Sequence, residues 1–333
     1  MRRRDFAIGL SLAAVVRTIR AQQPAKQHRI AIVVSTAPVS SINDPSRRYW
    51  RAFWEELRRL GDIEGQTLTV ELYSGEGRPT GFADLAREVV SRNPEVIVAI
   101  GPPITRAVTA ATGTIPIVAT GTHTSSGGVP SLARPGGNMT GARVEGHEIN
   151  GKRLQILKEA IPSASRVAFL DMRTFWESLG GQQVREELRM ASRLLEISLT
   201  DILIEESTPS EYQRVFAEIA QDPPDAIIVS SVSELFPYRQ LIVELAAKSR
   251  LPAMYPWRDY VEAGGLMAYG TDLVELWRRL ADNVHEILNG AKPGDIPIYQ
   301  PTKFEFLVNL KAANALGLTI PPSVLARADE VIE

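Results

Sequence analysis

The sequence has no cysteine and only four histidines among its 333 residues. The absence of cysteine excludes disulfides, thiolate metal sites, iron–sulfur clusters and a cysteine nucleophile. The histidines are scattered along the chain and leave little for a histidine-rich metal site: His28, His123, His147 and His285. The sequence therefore predicts no metal site, and we expect no other cofactor.

An excess of charge of one sign is also lacking, since 37 Lys and Arg residues face 39 Asp and Glu residues, for a net charge of -2. Without a basic excess along the chain, nucleic acid is not an expected partner. The hydrophobic share of 44% and the charged share of 23% are typical of a globular protein. The length suffices for two domains of ordinary size.

Apolar runs long enough for a transmembrane helix are missing as well. The longest run near the N-terminus covers the ten residues 7–16 and follows Arg2, Arg3 and Arg4, a pattern typical of an export signal. The segment 3–6, Arg-Arg-Asp-Phe, resembles a twin-arginine signal, and a general secretory signal is the alternative. We predict that residues 1–22 are a signal peptide and that the mature protein is periplasmic.

Short runs rich in branched apolar residues alternate along the chain with amphipathic segments of helical period. This alternation predicts parallel sheets covered by helices on both faces. Two such series of similar length flank a Gly/Pro cluster at 135–141, which predicts two lobes. The predicted strands are 29–34, 67–73, 95–100 and 115–119 in the first series, and 166–171, 198–204, 226–230 and 252–255 in the second.

Familiar nucleotide-binding and catalytic motifs are incomplete or absent. Residues 146–152 match the start of a P-loop, but Arg153 stands where the Mg²⁺-binding hydroxyl is required. The chain contains no G-x-G-x-x-G, G-x-S-x-G or H-E-x-x-H sequence. We therefore interpret residues 146–153 as the start of a helix after a crossover between the lobes.

Hydroxyl, small and aromatic residues follow the predicted strands, at the edge where open parallel sheets bind ligands. Because convergent carboxylates are missing there, the set favours binding over acid–base catalysis. Arg173 is placed to meet a ligand carboxylate, and Tyr255 and Trp257 are placed to stack on a planar ligand. The candidate ligand-binding residues are Thr36, Gly101, Thr120, Thr122, Arg173, Thr174, Ser231, Tyr255 and Trp257.

Several blocks of the chain resemble the family of ABC-transporter substrate-binding proteins that includes the tryptophan/tyrosine-binding type. They occur in order from residue 131 to 330: SLARPGGNMTG at 131–141, GKRL at 151–154, EAGGLMAYG at 262–270, PTKFE at 301–305, LGLTIPP at 316–322 and ARADE at 326–330. The resemblance implies a type I periplasmic-binding-protein fold of the α/β class, in which two Rossmann-like lobes with parallel sheets enclose the ligand in a cleft.

The resemblance also implies three inter-lobe crossovers, which we place at 136–137, 264–265 and 290–300. Lobe 1 is then expected to comprise 28–141 plus 266–290, and lobe 2 is expected to comprise 145–262 plus 296–320. A helical tail is expected at 321–333.

One loop departs from the family pattern. Family members usually carry an Asp-Pro pair soon after the strand equivalent to 115–119, whereas residues 120–128 here are rich in Thr, Ser and Gly and contain no such pair. The ligand of the amino-acid-binding members is therefore not carried over to this chain. A planar or aromatic small molecule that bears a carboxylate fits the candidate residues best.

We thus predict a monomeric, exported solute-binding protein without enzymatic activity, whose partners are a small-molecule ligand and an ABC permease in the inner membrane. A doubly wound α/β enzyme that acts on a small molecule at the same cleft is the alternative. A sugar-repressor-type sensor would need an N-terminal helix-turn-helix, which residues 1–28 do not provide.

Overall fold

The computed structural model describes residues 27–76, 81–121, 129–145 and 149–333. The predicted signal peptide and the candidate residue Thr122 lie outside the described residues. Within the described ranges, no helix is both long and apolar enough to cross a membrane.

The described strands form two sheets in which almost every neighbouring pair is parallel. Sheet 1 contains β1 (His28–Val34), β2 (Leu68–Ser74), β3 (Val96–Ile100), β4 (Ile117–Thr120) and β5 (Met139–Ala142), in the order β2-β1-β3-β4-β5. Sheet 2 contains β6 (Arg166–Met172), β7 (Ser198–Ile204), β8 (Ala226–Val229), β9 (Ala253–Tyr255), β10 (Met267–Thr271), β11 (Phe304–Asn309) and β12 (Glu330–Ile332), in the order β12-β11-β10-β9-β8-β6-β7. Only β10 and β11 run antiparallel among these described strands.

Helices cover both faces of each sheet, as the continuous apolar runs of the strands require. In the first half of the chain these helices are α1 (Arg48–Leu60), α2 (Phe82–Ser91), α3 (Pro102–Ala111), α4 (Ile149–Ala160), α5 (Arg173–Trp176) and α6 (Leu179–Leu194). In the second half they are α7 (Pro209–Ile219), α8 (Arg239–Lys248), α9 (Arg258–Glu262), α10 (Leu273–Leu288), α11 (Leu310–Leu316) and α12 (Pro322–Leu325).

The helices that pack on each sheet define the two lobes. In lobe 1, sheet 1 packs against α1 and α10 on one face and against α2 and α3 on the other. In lobe 2, sheet 2 packs against α7, α8 and α9 on one face and against α4, α6 and α11 on the other. The predicted α/β class with two parallel-sheet lobes is confirmed.

The described chain crosses between the lobes three times, namely between β5 and α4, between β10 and α10, and between α10 and β11. We call these crossovers 1, 2 and 3. Crossovers 1 and 2 are joined directly, because the hydroxyl of Thr271 donates to the carbonyl of Val144 at 2.5 Å. Crossovers 1 and 3 are joined where Arg143 N donates to Tyr299 O at 2.9 Å.

The positions of the crossovers differ from those expected. Residues 139–142 form the edge strand β5 of sheet 1, so crossover 1 follows that strand rather than residues 136–137. The expectation that 266–290 rejoins lobe 1 is wrong for its strand, because β10 pairs with β9 and β11 inside sheet 2. Its helix α10 packs against α1 on lobe 1, which places crossover 2 at 271–272 rather than at 264–265.

The C-terminal third shows two further differences. Residues 296–299, expected in lobe 2, remain bound to lobe 1, because Ile298 N donates to Leu132 O at 2.8 Å and Tyr299 N donates to Gly141 O at 2.9 Å. The expected helical tail contains the short helix α12, but it ends in strand β12, which pairs with β11 at the edge of sheet 2. A three-residue strand carries too short an apolar pattern to be distinguished from a helix end by periodicity.

Candidate ligand-binding cleft

The carboxyl ends of strands from both lobes face one another across a narrow cleft. The hydroxyl of Thr36, which follows β1, donates to the carbonyl of Ser233 beyond β8 at 3.3 Å. Farther along the cleft, Arg48 Nη1 lies 3.4 Å from Glu262 Oε1. Because these contacts join lobe 1 to lobe 2, the described structure has its lobes in contact.

The lobe 1 wall brings three candidate residues together. Gly101 N donates to the Oγ1 of Thr120 at 3.0 Å, which ties the ends of β3 and β4 to each other. Gly101 has a φ of +105°, and a Cβ there would lie 2.0 Å from the Oγ of Ser35, so only glycine fits. Thr36 lies beside this pair, since the neighbouring Ser35 N donates to Ile100 O at 3.0 Å.

The lobe 2 wall holds Ser231 in a buried polar cluster at the cleft base. Its hydroxyl donates to a carboxylate oxygen of Glu145 in crossover 1. Thr174, by contrast, is exposed at the start of α5. The structure therefore brings Ser231 to the hinge and leaves Thr174 on the surface.

Arg173 is already paired with carboxylates of its own lobe. Its guanidinium contacts Glu205 and Glu177, and its side chain is 43% exposed. These two contacts raise the pKa of Arg173, with the Glu205 hydrogen bond as the main cause. A ligand carboxylate at this position would have to compete with both glutamates.

The two candidate aromatic residues take different places. The ring of Tyr255 stacks on Tyr260 at 5.0 Å, and Tyr255 is 1% exposed. Strand alternation directs this ring toward α9 inside lobe 2, so it does not project into the cleft as expected. Trp257 instead packs edge-to-face against Phe236 at 5.2 Å.

Trp257 belongs to an aromatic cluster that spans the two lobes: Tyr49 and Trp277 of lobe 1, and Phe236, Trp257 and Tyr260 of lobe 2. The inter-lobe contact is that between Tyr49 and Phe236, whose ring centroids lie 6.0 Å apart. Three buried donors of this cluster have no hydrogen-bond partner among the described residues: Trp257 Nε1, Trp277 Nε1 and the hydroxyl of Tyr260. Because buried donors are normally paired, these unpaired donors are an unusual feature of the inter-lobe aromatic cluster, and among them Trp257 also lines a small cavity between the lobes.

Asp171, at the end of β6, is a fully buried carboxyl group. Its Oδ1 accepts hydrogen bonds from Met172 N at 2.7 Å and from the hydroxyl of Ser230 at 2.9 Å. Its Oδ2 has no hydrogen-bond partner in the part of the chain that the structure describes. Burial raises the pKa of Asp171 to about 8. The carboxyl group is therefore protonated in the folded protein at neutral pH.

Asp171→Asn should remove a pH dependence of stability between pH 5 and 8. An unfolded aspartate has a pKa of about 3.9, so in this window the folded wild type binds one more proton than the unfolded chain. The free energy of unfolding then falls as pH rises, by about 1.4 kcal/mol per pH unit, and levels off above pH 8. Urea unfolding of both proteins at four pH values measures the difference, because other titrating groups cancel. Parallel curves for the two proteins would contradict the prediction.

Two buried arginines at the hinge were not among the candidate residues. Arg153, in α4, is 0% exposed and pairs with Glu145. Arg143, directly after β5, is 9% exposed. The signal available in the sequence was their position: an arginine next to the Gly/Pro cluster, and an arginine in the helix that follows it. Sequence periodicity cannot show that either side chain is buried.

Within the described ranges, no cluster of His, Asp and Glu side chains has the arrangement of a metal site. The Lys152 side chain, which would be the phosphate-binding lysine of a P-loop, contacts Gln155 at 3.1 Å. Residues 146–148 of that motif lie outside the described residues, and α4 begins at Ile149.

Comparisons with known proteins find one matching family and similar solved structures. The family model described as ABC transporter substrate binding protein matches residues 36–332. A curated relative from Clostridioides difficile (strain R20291), the "Tyrosine-binding protein", is 23% identical over 279 residues, which cover 80% of this chain and 76% of the relative.

Solved structures are similar over nearly the whole chain. A conserved domain protein from Vibrio cholerae has a TM-score of 0.81 at 25% identity and covers 92% of this chain and 100% of its own. The ABC domain from Streptococcus pneumonia, solved in complex with L-Trp, has a TM-score of 0.80 at 21% identity, with the same coverage of 92% and 100%. The latter similarity shows the fold alone.

Proposed function

Because the chain belongs to the family of ABC transporter substrate-binding proteins, we propose that it captures a small organic molecule between its lobes and delivers it to the permease of an ABC importer. The mature protein would act in the periplasm after export by the twin-arginine or the general secretory route. It would act as a monomer and carry out no chemical step on its ligand.

The observation that carries this proposal is the meeting of two polar walls at a cleft beside three crossovers. Lobe 1 contributes Thr36, and lobe 2 contributes the carbonyl of Ser233 that this hydroxyl contacts. A ligand that contacts both walls binds the closed state more tightly than the open state, and this difference in affinity drives closure. The crossovers then act as hinges.

The inter-lobe aromatic cluster supports a planar or aromatic ligand. An aromatic contact contributes about 0.5–1.5 kcal/mol beyond the burial of area, and the unpaired Nε1 of Trp257 can donate to a polar group on such a ligand. Relatives with aromatic amino acids in their names, the "Tyrosine-binding protein" and the structure with L-Trp, make these two compounds the first ligands to test.

Ligand binding should raise thermal stability and compact the protein. A ligand at 100 times its Kd stabilises the folded state by about 2.7 kcal/mol, which thermal-shift screening detects. The screen would contain L-tyrosine, L-tryptophan, aromatic carboxylic acids, purines and sugars. Solution scattering with the best compound should show a smaller radius of gyration, because ligand stabilises the closed state.

Mass analysis of the recovered ligand separates binding from catalysis. We expect the compound to be recovered unchanged after long incubation with the protein. Conversion to a product would favour the enzyme alternative. Scattering curves that stay identical at saturating ligand would contradict closure, and a screen without any stabilising compound would contradict the proposed ligand class.

A further inference from the structure

Arg143 is a buried cation without a counter-charge in the described part of the chain. It is 9% exposed, and its Nε and Nη2 atoms have no hydrogen-bond partner among residues 27–76, 81–121, 129–145 and 149–333. Burial lowers the pKa of Arg143, and no charged group among the described residues offsets this effect. An unpaired buried charge is costly, so an acceptor for Nε and Nη2, which the described chain does not supply, would stabilise the folded protein.

The other buried arginine of the hinge, Arg153, has hydrogen-bond partners on all three guanidinium nitrogens. Arg153, only ten positions later, donates from Nε, Nη1 and Nη2 to acceptors that include both carboxylate oxygens of Glu145. Glu145 is therefore occupied, since it also accepts from Ser231. The nearest acidic residue along the described chain is thus not free for Arg143.

The position of Arg143 is at the edge of lobe 1 where ligands bind in this type of sheet. The residue follows β5 directly, and the preceding Ala142 accepts a hydrogen bond at 3.0 Å from Gly121 N, just beyond β4. Its own N donates to Tyr299 O at the start of crossover 3. Arg143 therefore lies next to the lobe 1 wall and between two hinge segments.

The N-terminus of α3 lies at the same edge. Helix α3 begins after Gly101 without a side-chain cap, and Pro102 would lie 3.2 Å from a Cβ at Gly121. A helix N-terminus carries partial positive charge. Because Pro102 and Pro103 at the start of α3 carry no N–H, the helix offers an anion only its partial charge there. The hydrogen-bond donors for an anion at the carboxyl ends of β3, β4 and β5 are then those of Arg143.

The identity of the two unpaired atoms indicates the shape of that anion. The N–H bonds of Nε and Nη2 lie in the plane of the guanidinium group, at the same edge, and are parallel to each other. This geometry matches the two oxygens of a carboxylate, which arginine binds in a bidentate manner.

We propose that Arg143 is the anchor for the carboxylate of the ligand, in place of Arg173. The proposal rests on the proposed function and specifies its substrate class, a small monocarboxylate. The ligand carboxylate would neutralise Arg143 beside the hinge, so binding would contribute directly to closure.

The first test needs no ligand. Arg143→Met should raise the urea midpoint of the ligand-free protein, because it removes an unpaired buried charge, whereas the surface control Arg166→Met should leave it unchanged. Arg166 pairs with Asp222 at 2.7 Å on the exposed side of lobe 2. A lower midpoint for Arg143→Met would show that Arg143 already has a structural partner and would overturn the proposal.

The second test measures binding by calorimetry with matched probes. L-tryptophan, L-tyrosine and benzoate carry the carboxylate, tryptamine and tyramine lack it, and 5-methylthioribose is a neutral comparison. Wild type should bind at least one carboxylate and prefer it to its decarboxylated analogue. Arg143→Met should weaken that binding about 10- to 100-fold and abolish the preference, and Arg143→Lys should recover part of it.

The outcomes separate this proposal from the proposed function. Binding of 5-methylthioribose or an amine, without binding of any carboxylate, would overturn the role of Arg143 and leave the solute-binding function intact. Equal carboxylate affinity in wild type and Arg143→Met, or loss of binding in Arg173→Met alone, would also overturn it. If wild type bound none of these compounds, the result would count against the role of Arg143 and against the proposed function.

Discussion

Arg153→Met should lower the free energy of unfolding by about 3–5 kcal/mol, because it leaves the buried carboxylate of Glu145 without a counter-ion. Arg153 Nε donates to Tyr269 O at 2.8 Å, and Nη1 donates to Asn150 Oδ1 at 3.0 Å and to Glu145 Oε2 at 3.2 Å. Nη2 donates to Glu145 Oε1 and, at 3.3 Å, to Pro256 O. One side chain thus joins α4 to crossover 1, to β10 and to the loop after β9.

Urea unfolding of Arg153→Met and of the control Arg166→Met measures this effect. The control removes an exposed ion pair, and such pairs contribute less than about 1 kcal/mol. A loss no larger than in the control would show that the buried pair does not hold the hinge together. If Arg153→Met does not fold at all, the expected loss of stability is confirmed. The size of the loss in unfolding free energy is then measured on Arg153→Lys.

The double variant Glu145→Leu with Arg153→Met separates the burial of an unpaired charge from the loss of packing. Replacing both members of a buried ion pair by apolar residues is often neutral. We therefore expect the double variant to be more stable than Arg153→Met alone. The hydroxyl of Ser231, which loses its acceptor, limits the recovery. A double variant less stable than the single variant would contradict this explanation.

Gly270→Ala should destabilise the protein by about 1–3 kcal/mol or more, the usual effect of overpacking a dense site. A Cβ at Gly270 would lie 1.7 Å from the carbonyl oxygen of Pro256 and 3.2 Å from Arg153 Nη2. Since the nearest atom belongs to the backbone, β10 or the loop after β9 must shift. Because crossover 2 follows β10 directly, we also expect a larger radius of gyration in the ligand-free state.

Gly113→Ala is the matched control for this substitution. A Cβ at Gly113 has nothing within 4 Å, and the φ of Gly113 lies outside the left-handed range. Its unfolding free energy should stay within about 0.5 kcal/mol of wild type. If Gly270→Ala and Gly113→Ala unfolded at the same urea concentration, close packing at crossover 2 would be refuted.

Most strands and helices could be predicted because their apolar periodicity is long and regular. The strand at 198–204 has the predicted bounds, and the strands predicted at 29–34 and 226–230 differ from the observed ones by one residue each. The short elements α9 and β12 were missed, because a segment of three to five residues carries too few side chains to define a period. The equally short β8 and β9 were found because they are continuous apolar runs in the β–α alternation. The edge strand β5 was interpreted as a crossover because its glycine-rich sequence is typical of loops.

Part of the candidate cleft could also be predicted from the sequence, and part could not. The position of Thr36, Gly101 and Thr120 at one edge of sheet 1 could be predicted, because carboxyl ends of parallel strands meet at one edge. Their contact with a ligand stays a prediction. Tyr255 was assigned to the cleft although its ring packs inside lobe 2. A sequence shows which residue ends a strand, but not which face of the sheet that side chain occupies when a helix of unknown position covers it.

By itself, the sequence determined the two-lobe α/β class, the absence of cysteine chemistry and the strand ends that form the cleft, because these follow from composition and from local periodicity. Only the tertiary structure decided which arginine is paired. Arg173 is engaged on the surface by Glu205 and Glu177, whereas Arg143 is buried and unpaired beside the hinge. The reason is physical: the pairing of a charge depends on groups brought from distant parts of the chain, and these meet only when the crossovers are in place.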